Sequence, residues 1–161
     1  MSKDKTPMTP AVRVLRQAGV EFSEHPYQYV ERGGTAVFAQ QFGVDEHVVV
    51  KTLVMEDDAR RPFVVLMHGD REVSTKELAR TLGVKTVQPC SPETAQRHSG
   101  YPVGGTSPFG LRKEMPIYVE ETILALPRIY INGGKRGFLV GLDPKDLDRV
   151  IKPTPVRVAI P

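Results

Sequence analysis

The sequence has one cysteine, Cys90. No intramolecular disulfide can form, and no Cys-x-x-Cys pair or Cys/His cluster offers zinc a tetrahedral ligand set. His25, His47, His68 and His98 fall at no metal-ligand spacing, so neither a metal nor another cofactor is expected. No apolar run reaches the roughly 20 residues needed to cross a bilayer. The opening Met1-Ser2-Lys3-Asp4-Lys5-Thr6-Pro7 lacks the apolar stretch of a secretory leader, so a cytoplasmic protein without a membrane partner is expected. Charge of one sign is also scarce. The 22 Lys and Arg face 19 Asp and Glu, for a net charge of +3, and no block of like charge occurs. This mildly basic balance permits a phosphate-rich partner without identifying one. Repeats and low-complexity tracts are absent.

What remains is the pattern of a single α+β domain over residues 1–161, long enough to bury a core unaided. Thr9-Pro10, Ser91-Pro92 and Asp143-Pro144 each set a capping oxygen before a proline suited to a first helical turn. Helices are predicted from Pro10 to Gly19, from Thr35 to Gly43, from Ser74 to near Gly83, from Ser91 to His98 and from Asp143 to Ile151. Ser74 and Glu77 have the spacing of a capping box. Strands are predicted over Val48 to Met55, Phe63 to Met67, Ile117 to Val119, Arg128 to Ile131 and Phe138 to Leu142. The polar segment from Glu56 to Pro62 reads as a hairpin connection.

Three places break their local pattern, and such breaks concentrate function. Lys51 interrupts the apolar run Val48 to Met55, a strand covered on both faces. Two readings stand: a lysine that protects an edge strand, or an ammonium held in a cleft for a carbonyl, phosphate or ribose oxygen. The second break, Gly100 to Gly110, holds four glycines and two prolines in eleven residues. Such a loop can be a plain surface connection or can present backbone N–H groups to a ligand. It is no P-loop, since Leu111-Arg112 stands where Lys-Ser/Thr is required. The third, Asn132-Gly133-Gly134-Lys135-Arg136-Gly137, carries hairpin-turn pairs in Asn-Gly and Gly-Gly, with Lys135 and Arg136 within reach of phosphate.

Other residues offer less. Cys90 and His98 have the types of a nucleophile and its base but no activating partner, and Cys90 sits between Pro89 and Ser91 as an inert thiol. Glu120 and Glu121 are expected to cap the short helix that follows them.

The three breaks together resemble the YbaK/EbsC family. The matching segments are Val50-Lys51-Thr52-Leu53, the loop Gly100-Tyr-Pro-Val-Gly-Gly-Thr-Ser-Pro-Phe-Gly110 and Gly133-Gly-Lys-Arg-Gly137, in the family's order and at comparable spacing. Thr9-Pro-Ala-Val-Arg-Val-Leu15 and His25-Pro26-Tyr27 match as well, so the resemblance covers almost the whole chain. Family members are free-standing relatives of the editing domain of bacterial prolyl-tRNA synthetase, with a mixed α+β fold around a curved sheet. They hydrolyse the ester joining a wrong amino acid to tRNA, most familiarly cysteine on proline tRNA. The resemblance implies aminoacyl-tRNA, and not DNA, as substrate, with prolyl-tRNA synthetase as a possible partner and no cofactor.

It also implies roles. Lys51 is the family's required lysine, orienting the aminoacyl ester or terminal adenosine, with Thr52 beside it. Gly104, Gly105, Thr106, Ser107 and Pro108 match the Gly-x-x-x-Pro loop whose N–H groups hold the substrate carbonyl. Tyr27 matches a pocket aromatic. Asn132, Gly133, Gly134, Lys135 and Arg136 complete the substrate-binding set. No protein nucleophile is implied; a water or the substrate's own side chain attacks the ester. Three positions depart from the cysteine-editing pattern: Asn132 replaces a serine, Leu139 an aspartate, and no aromatic stands near Gly33-Gly34. These leave alanine, serine, threonine or 2-aminobutyrate as alternatives to cysteine. A non-catalytic tRNA- or nucleotide-binding module associated with a synthetase is the competing reading, and a structural domain without ligand a third.

Overall fold

The computed structural model describes residues 6–161. Met1 to Lys5, on which part of the leader reading rests, lie outside the described residues. Helix α1 (Pro10–Gln17) starts where Thr9 Oγ1 accepts the Val12 N–H at 3.1 Å, and it buries Ala11, Val12 and Leu15. Helix α2 (Gly34–Phe42) stops at Gly43 in the left-handed conformation. Ser74 and Ser91 cap α3 (Thr75–Leu82) and α4 (Pro92–Ser99) through the N–H groups of Glu77 and Thr94. The last helix, α5 (Lys145–Val150), is shorter than the sequence predicts. Pro144 takes the cap position there, and Asp143 Oδ1 accepts from Lys145 N at 2.9 Å. Among the described residues no helix is long and apolar enough to cross a membrane.

Among the described residues ten strands follow in chain order: β1 (Ser23–Pro26), β2 (Val49–Asp57), β3 (Pro62–His68), β4 (Glu72–Val73), β5 (Val87–Pro89), β6 (Ile117–Glu120), β7 (Ile129–Lys135), β8 (Phe138–Leu142), β9 (Thr154–Val156) and β10 (Ala159–Ile160). One mixed sheet runs β1-β8-β7-β2-β3-β6-β9 with β5 also on β2, and β4 and β10 form a separate ribbon. The β2–β3 hairpin turns where predicted. Its turn is closed by Asp57, whose carboxylate accepts from the Ala59 and Arg61 N–H groups.

The sequence pattern misses β1, β4, β5, β9 and β10, all of two to four residues, too short to show a period of two. Two expectations are overturned. Glu120 makes no capping bond to the turn of helix after it. It is buried, and its carboxylate accepts the Val158 N–H at 2.7 Å, while Glu121 pairs with Arg157, so the two acids anchor the C-terminal segment. The β7–β8 turn lies at Arg136-Gly137, because Lys135 pairs with Phe138, and Asn132 to Lys135 form a bulge. Asn-Gly and Gly-Gly thus serve a backbone irregularity instead of the turn itself.

Strand β2 has neighbours on both sides, so Lys51 does not stand on an outer edge of the sheet. Its two faces serve different cores. Val50 and Val54 join the main cluster with Leu15, Leu66, Phe109 and Ile131, under α1. On the opposite face Met55 and Leu53 pack with Leu78 under α3, and Val49 packs with Phe38 and Leu139 under α2. Lys51 belongs to this second face by alternation and falls between its two apolar clusters.

Candidate active site

The site begins with a split in the sheet. On one side β2 pairs with β3 along almost its whole length. On the other it pairs in parallel with β7 only at Val49 and Val50, and with β5 only from Met55 to Asp57. Between those contacts, at Lys51 to Leu53, no strand among the described residues lies against β2 on that side, and Val54 O accepts from Cys90 N at 3.0 Å. β7 leaves because the bulge at Asn132 to Lys135 bends it away. A backbone edge exposed inside a sheet is where a ligand can approach main chain.

Register places the predicted residues around this split. Val49 lies beside Tyr130 and Val50 beside Ile131, so Lys51 is at the level of Asn132. Asn132 in turn faces Leu139 across the β7–β8 pair. Lys51, Asn132 and Leu139 therefore share the face covered by α2, where Tyr27 and Phe38 meet edge to face with ring centroids 5.3 Å apart. Burial holds the Tyr27 phenol above its ordinary pKa, so it stays neutral there. The Lys51 side chain is 22% exposed, and its Nζ lies 3.3 Å from Glu72 Oε2 on β4. Thr52 points to the other face, and its Oγ1 is buried with no hydrogen-bond partner among the described residues. Burying a hydroxyl unpaired costs about 1–3 kcal/mol, a strain of the kind found at working sites.

The glycine loop seats directly on the β7–β8 hairpin. Val103 O accepts from Arg136 Nε at 2.7 Å, and Gly104 O accepts from Asn132 Nδ2 at 3.1 Å. A methyl on Gly105 would lie 2.8 Å from Arg136 N and 3.0 Å from the Lys135 carbonyl carbon, so only glycine permits this approach. Gly104 has φ +88° and faces the Tyr29 hydroxyl, and the Arg136 guanidinium lies over the Tyr29 ring. The Gly105 N–H is committed to Pro102 O at 2.9 Å. The N–H groups of Thr106 and Ser107 have no intramolecular acceptor among the described residues, and Thr106 Oγ1 donates to Pro102 O. Ser107 is fully buried and its Oγ accepts from Phe109 N, so the hydroxyl is a structural acceptor. Pro108 is buried beside it. Gly133 and Gly134 are close-packed too: Gly133 O takes the Thr9 hydroxyl at 2.5 Å, and a methyl on Gly134 would meet the Tyr101 ring at 2.8 Å. Lys135 is exposed at the hairpin tip.

The loop and the hairpin are in contact, and register sets Lys51 at the level of Asn132, on the face where Tyr27 packs. Tyr29, which the sequence reading passed over, belongs with them; its one signal was position two residues after Tyr27. The Cys90 thiol donates to Glu56 Oε1, and burial together with that carboxylate pushes its pKa up to about 12. A thiol so held has negligible thiolate at neutral pH.

One cluster hidden by sequence spacing is His47, His68 and Asp70, whose ligand atoms lie within 4.8 Å of one another. His68 Nδ1 donates to His47 O, and its Nε2 accepts from the Thr122 hydroxyl. The two rings stack with centroids 3.7 Å apart and 7° between planes, so their in-plane lone pairs do not converge. The geometry suits a stacked histidine pair better than a metal site, and burial lowers the His68 pKa.

Comparison with known proteins identifies the family and the fold. Residues 33–150 match the model of the aminoacyl-tRNA editing domain. A protein of Enterococcus faecalis, named as a candidate Cys-tRNA(Pro)/Cys-tRNA(Cys) deacylase, EbsC, is 31% identical over 147 residues, 90% of each chain. A proline–tRNA ligase of Nitratidesulfovibrio vulgaris is 29% identical over 65% of this chain, which matches 16% of that longer enzyme. Among solved structures, a candidate trans-editing enzyme for prolyl-tRNA synthetase superposes with a TM-score of 0.81 at 22% identity, over 98% of this chain and 100% of that one. At that identity the likeness establishes the mixed α+β fold. With the family model spanning the split sheet, the loop and the hairpin alike, this chain belongs to the aminoacyl-tRNA editing domain family.

Proposed function

We infer that this chain is an aminoacyl-tRNA deacylase acting in trans, a hydrolase that cuts the ester between a wrongly attached amino acid and tRNA. The observation that carries the reading is the placement of Lys51, on an interior strand at the split and level with Asn132, which bonds the glycine loop, within a chain of the editing family. The substrate is proline tRNA carrying cysteine or another small amino acid, and prolyl-tRNA synthetase is the expected partner. The name of the Enterococcus relative and the match to proline–tRNA ligase support both.

In the reaction a water oxygen bonds the ester carbonyl carbon, the bond from that carbon to the ribose oxygen breaks, and a proton passes to the departing oxygen. Negative charge gathers on the carbonyl oxygen in between. The N–H group of Thr106, partly exposed and free of internal acceptors, is the donor proposed for it; a well-aimed donor is worth about 3–4 kcal/mol. Gly104 and Gly105 shape that loop, with Gly105 acting through its lack of a side chain. Lys51 supplies a compact positive charge to a ribose or ester oxygen once it leaves Glu72. Lys135 and Arg136 face the tRNA backbone, and Tyr27 with Leu139 bounds the amino-acid pocket.

Proline tRNA charged with cysteine, alanine, serine, threonine or 2-aminobutyrate tests the reading. At least one should be hydrolysed well above its spontaneous rate. Binding of all five with hydrolysis of none would instead establish a non-catalytic tRNA-binding module.

A further inference from the structure

The Asn132 side chain is almost fully occupied by backbone. Its Oδ1 accepts from Gly134 N at 2.6 Å and from Lys135 N at 3.1 Å, and its Nδ2 donates to Gly104 O at 3.1 Å. A primary amide has two acceptor lone pairs and two N–H donors, so a single N–H remains for anything else. The two oxygen bonds hold the bulge that bends β7 from β2. The nitrogen bond reaches across to the glycine loop.

The loop has reason to need such a tie. Its backbone lies against the hairpin backbone too closely for any side chain at Gly105. Two successive loop carbonyls, of Val103 and Gly104, are each held from the hairpin, by Arg136 Nε and Asn132 Nδ2. Gly104 at φ +88° lets both carbonyls turn that way. With them anchored, the Gly105 N–H closes a turn on Pro102 O. The Thr106 N–H group, at a partly exposed residue, follows immediately.

We propose that Asn132 is a positioning residue, which together with Arg136 clamps the carbonyls of residues 103 and 104 and so aims the Thr106 N–H group at the substrate carbonyl. It does not read the amino-acid side chain. This rests on the deacylase reading of the same site, and it assigns Asn132 a different task from direct substrate binding.

The experiment uses Asn132→Ser, whose shorter hydroxyl cannot span both the bulge and the loop, with two readouts. The first is single-turnover hydrolysis of two or more aminoacyl-tRNAs that the unaltered protein cleaves. A clamp predicts that the maximal rate falls by about tenfold or more, by the same factor for each amino acid, with KM little changed. A loss that differs between amino acids by that factor or more would make Asn132 a reader of the side chain and overturn the proposal. The second readout, amide hydrogen exchange, needs no substrate and stands even if no aminoacyl-tRNA is cleaved. Exchange at Gly105 should speed by about tenfold while Val65 in β3 is unaffected, as expected of a loop released locally. Unchanged exchange at Gly105 would overturn the clamp whatever the assay gives. Acceleration with no hydrolysis by the unaltered protein would leave the clamp standing and reject the deacylase.

Discussion

Single residues in this molecule separate sharply into those with free capacity and those whose groups are spent. Cys90 and Ser107, the two side chains that most resemble nucleophiles near the site, belong to the second class. The thiol is neutral, at a pKa of about 12, and points to Glu56. Cys90→Ser should therefore leave deacylation within about twofold, measured per folded molecule, since no thiolate is lost. Ser107 Oγ accepts the buried Phe109 N–H. Replacing it with alanine strands that donor, so Ser107→Ala should cost about 1–3 kcal/mol in urea unfolding. Its rate should drop only several-fold. An acyl-enzyme trapped on Ser107 would contradict this and install covalent catalysis. Lys51 and the Thr52 hydroxyl belong to the first class, the one held by a half-exposed ion pair and the other unpartnered.

At the scale of elements, capping chemistry was what the sequence displayed best. Thr9, Ser74 and Ser91 cap helices where their spacing to the next apolar run predicted, because an N-cap is a local interaction visible over four residues. The short strands were illegible for the converse reason: β1, β9 and β10 exist through pairing with segments distant in the chain. The site was legible in kind but not in detail. Glycines at 104, 105, 133 and 134 signalled close backbone approach, yet only the fold reveals that the loop approaches the hairpin, and that Asn132 is consumed in joining them. Gly105→Ala tests this docking. Its methyl would meet hairpin backbone, which cannot yield as a flexible side chain would, so stability should fall by about 1–3 kcal/mol and turnover per folded molecule should fall with it. Wild-type values for both would show that the loop is not seated on the hairpin.

The main sheet carries a core on each face, and histidines packed against the molecule make its stability sensitive to acid. His68, His25 and His98 all have pKa values lowered by burial from an ordinary 6.5. For such groups the unfolded chain binds protons first. Their contribution to stability is complete above about pH 6.5 and is lost as pH falls through that value towards the lower folded pKa. The urea midpoint should accordingly drop between pH 7.5 and 5.5. His68 is stacked on His47 and faced by Asp70 and Glu120, and His68→Asn should shrink that drop even if it lowers the midpoint overall. A drop of the same size would place the sensitivity elsewhere. Deacylation is the function proposed for the arrangement as a whole, with a split in the sheet, a lysine at the split and a loop docked on the neighbouring hairpin. The most direct measurement is hydrolysis of mischarged proline tRNA by Lys51→Met, with circular dichroism and the unfolding midpoint recorded alongside. Methionine keeps the apolar stem and removes the charge. The account predicts an unchanged fold and hydrolysis reduced at least a hundredfold, about 3 kcal/mol of transition-state stabilisation; a folded variant that retains more than a small fraction of the activity would contradict it.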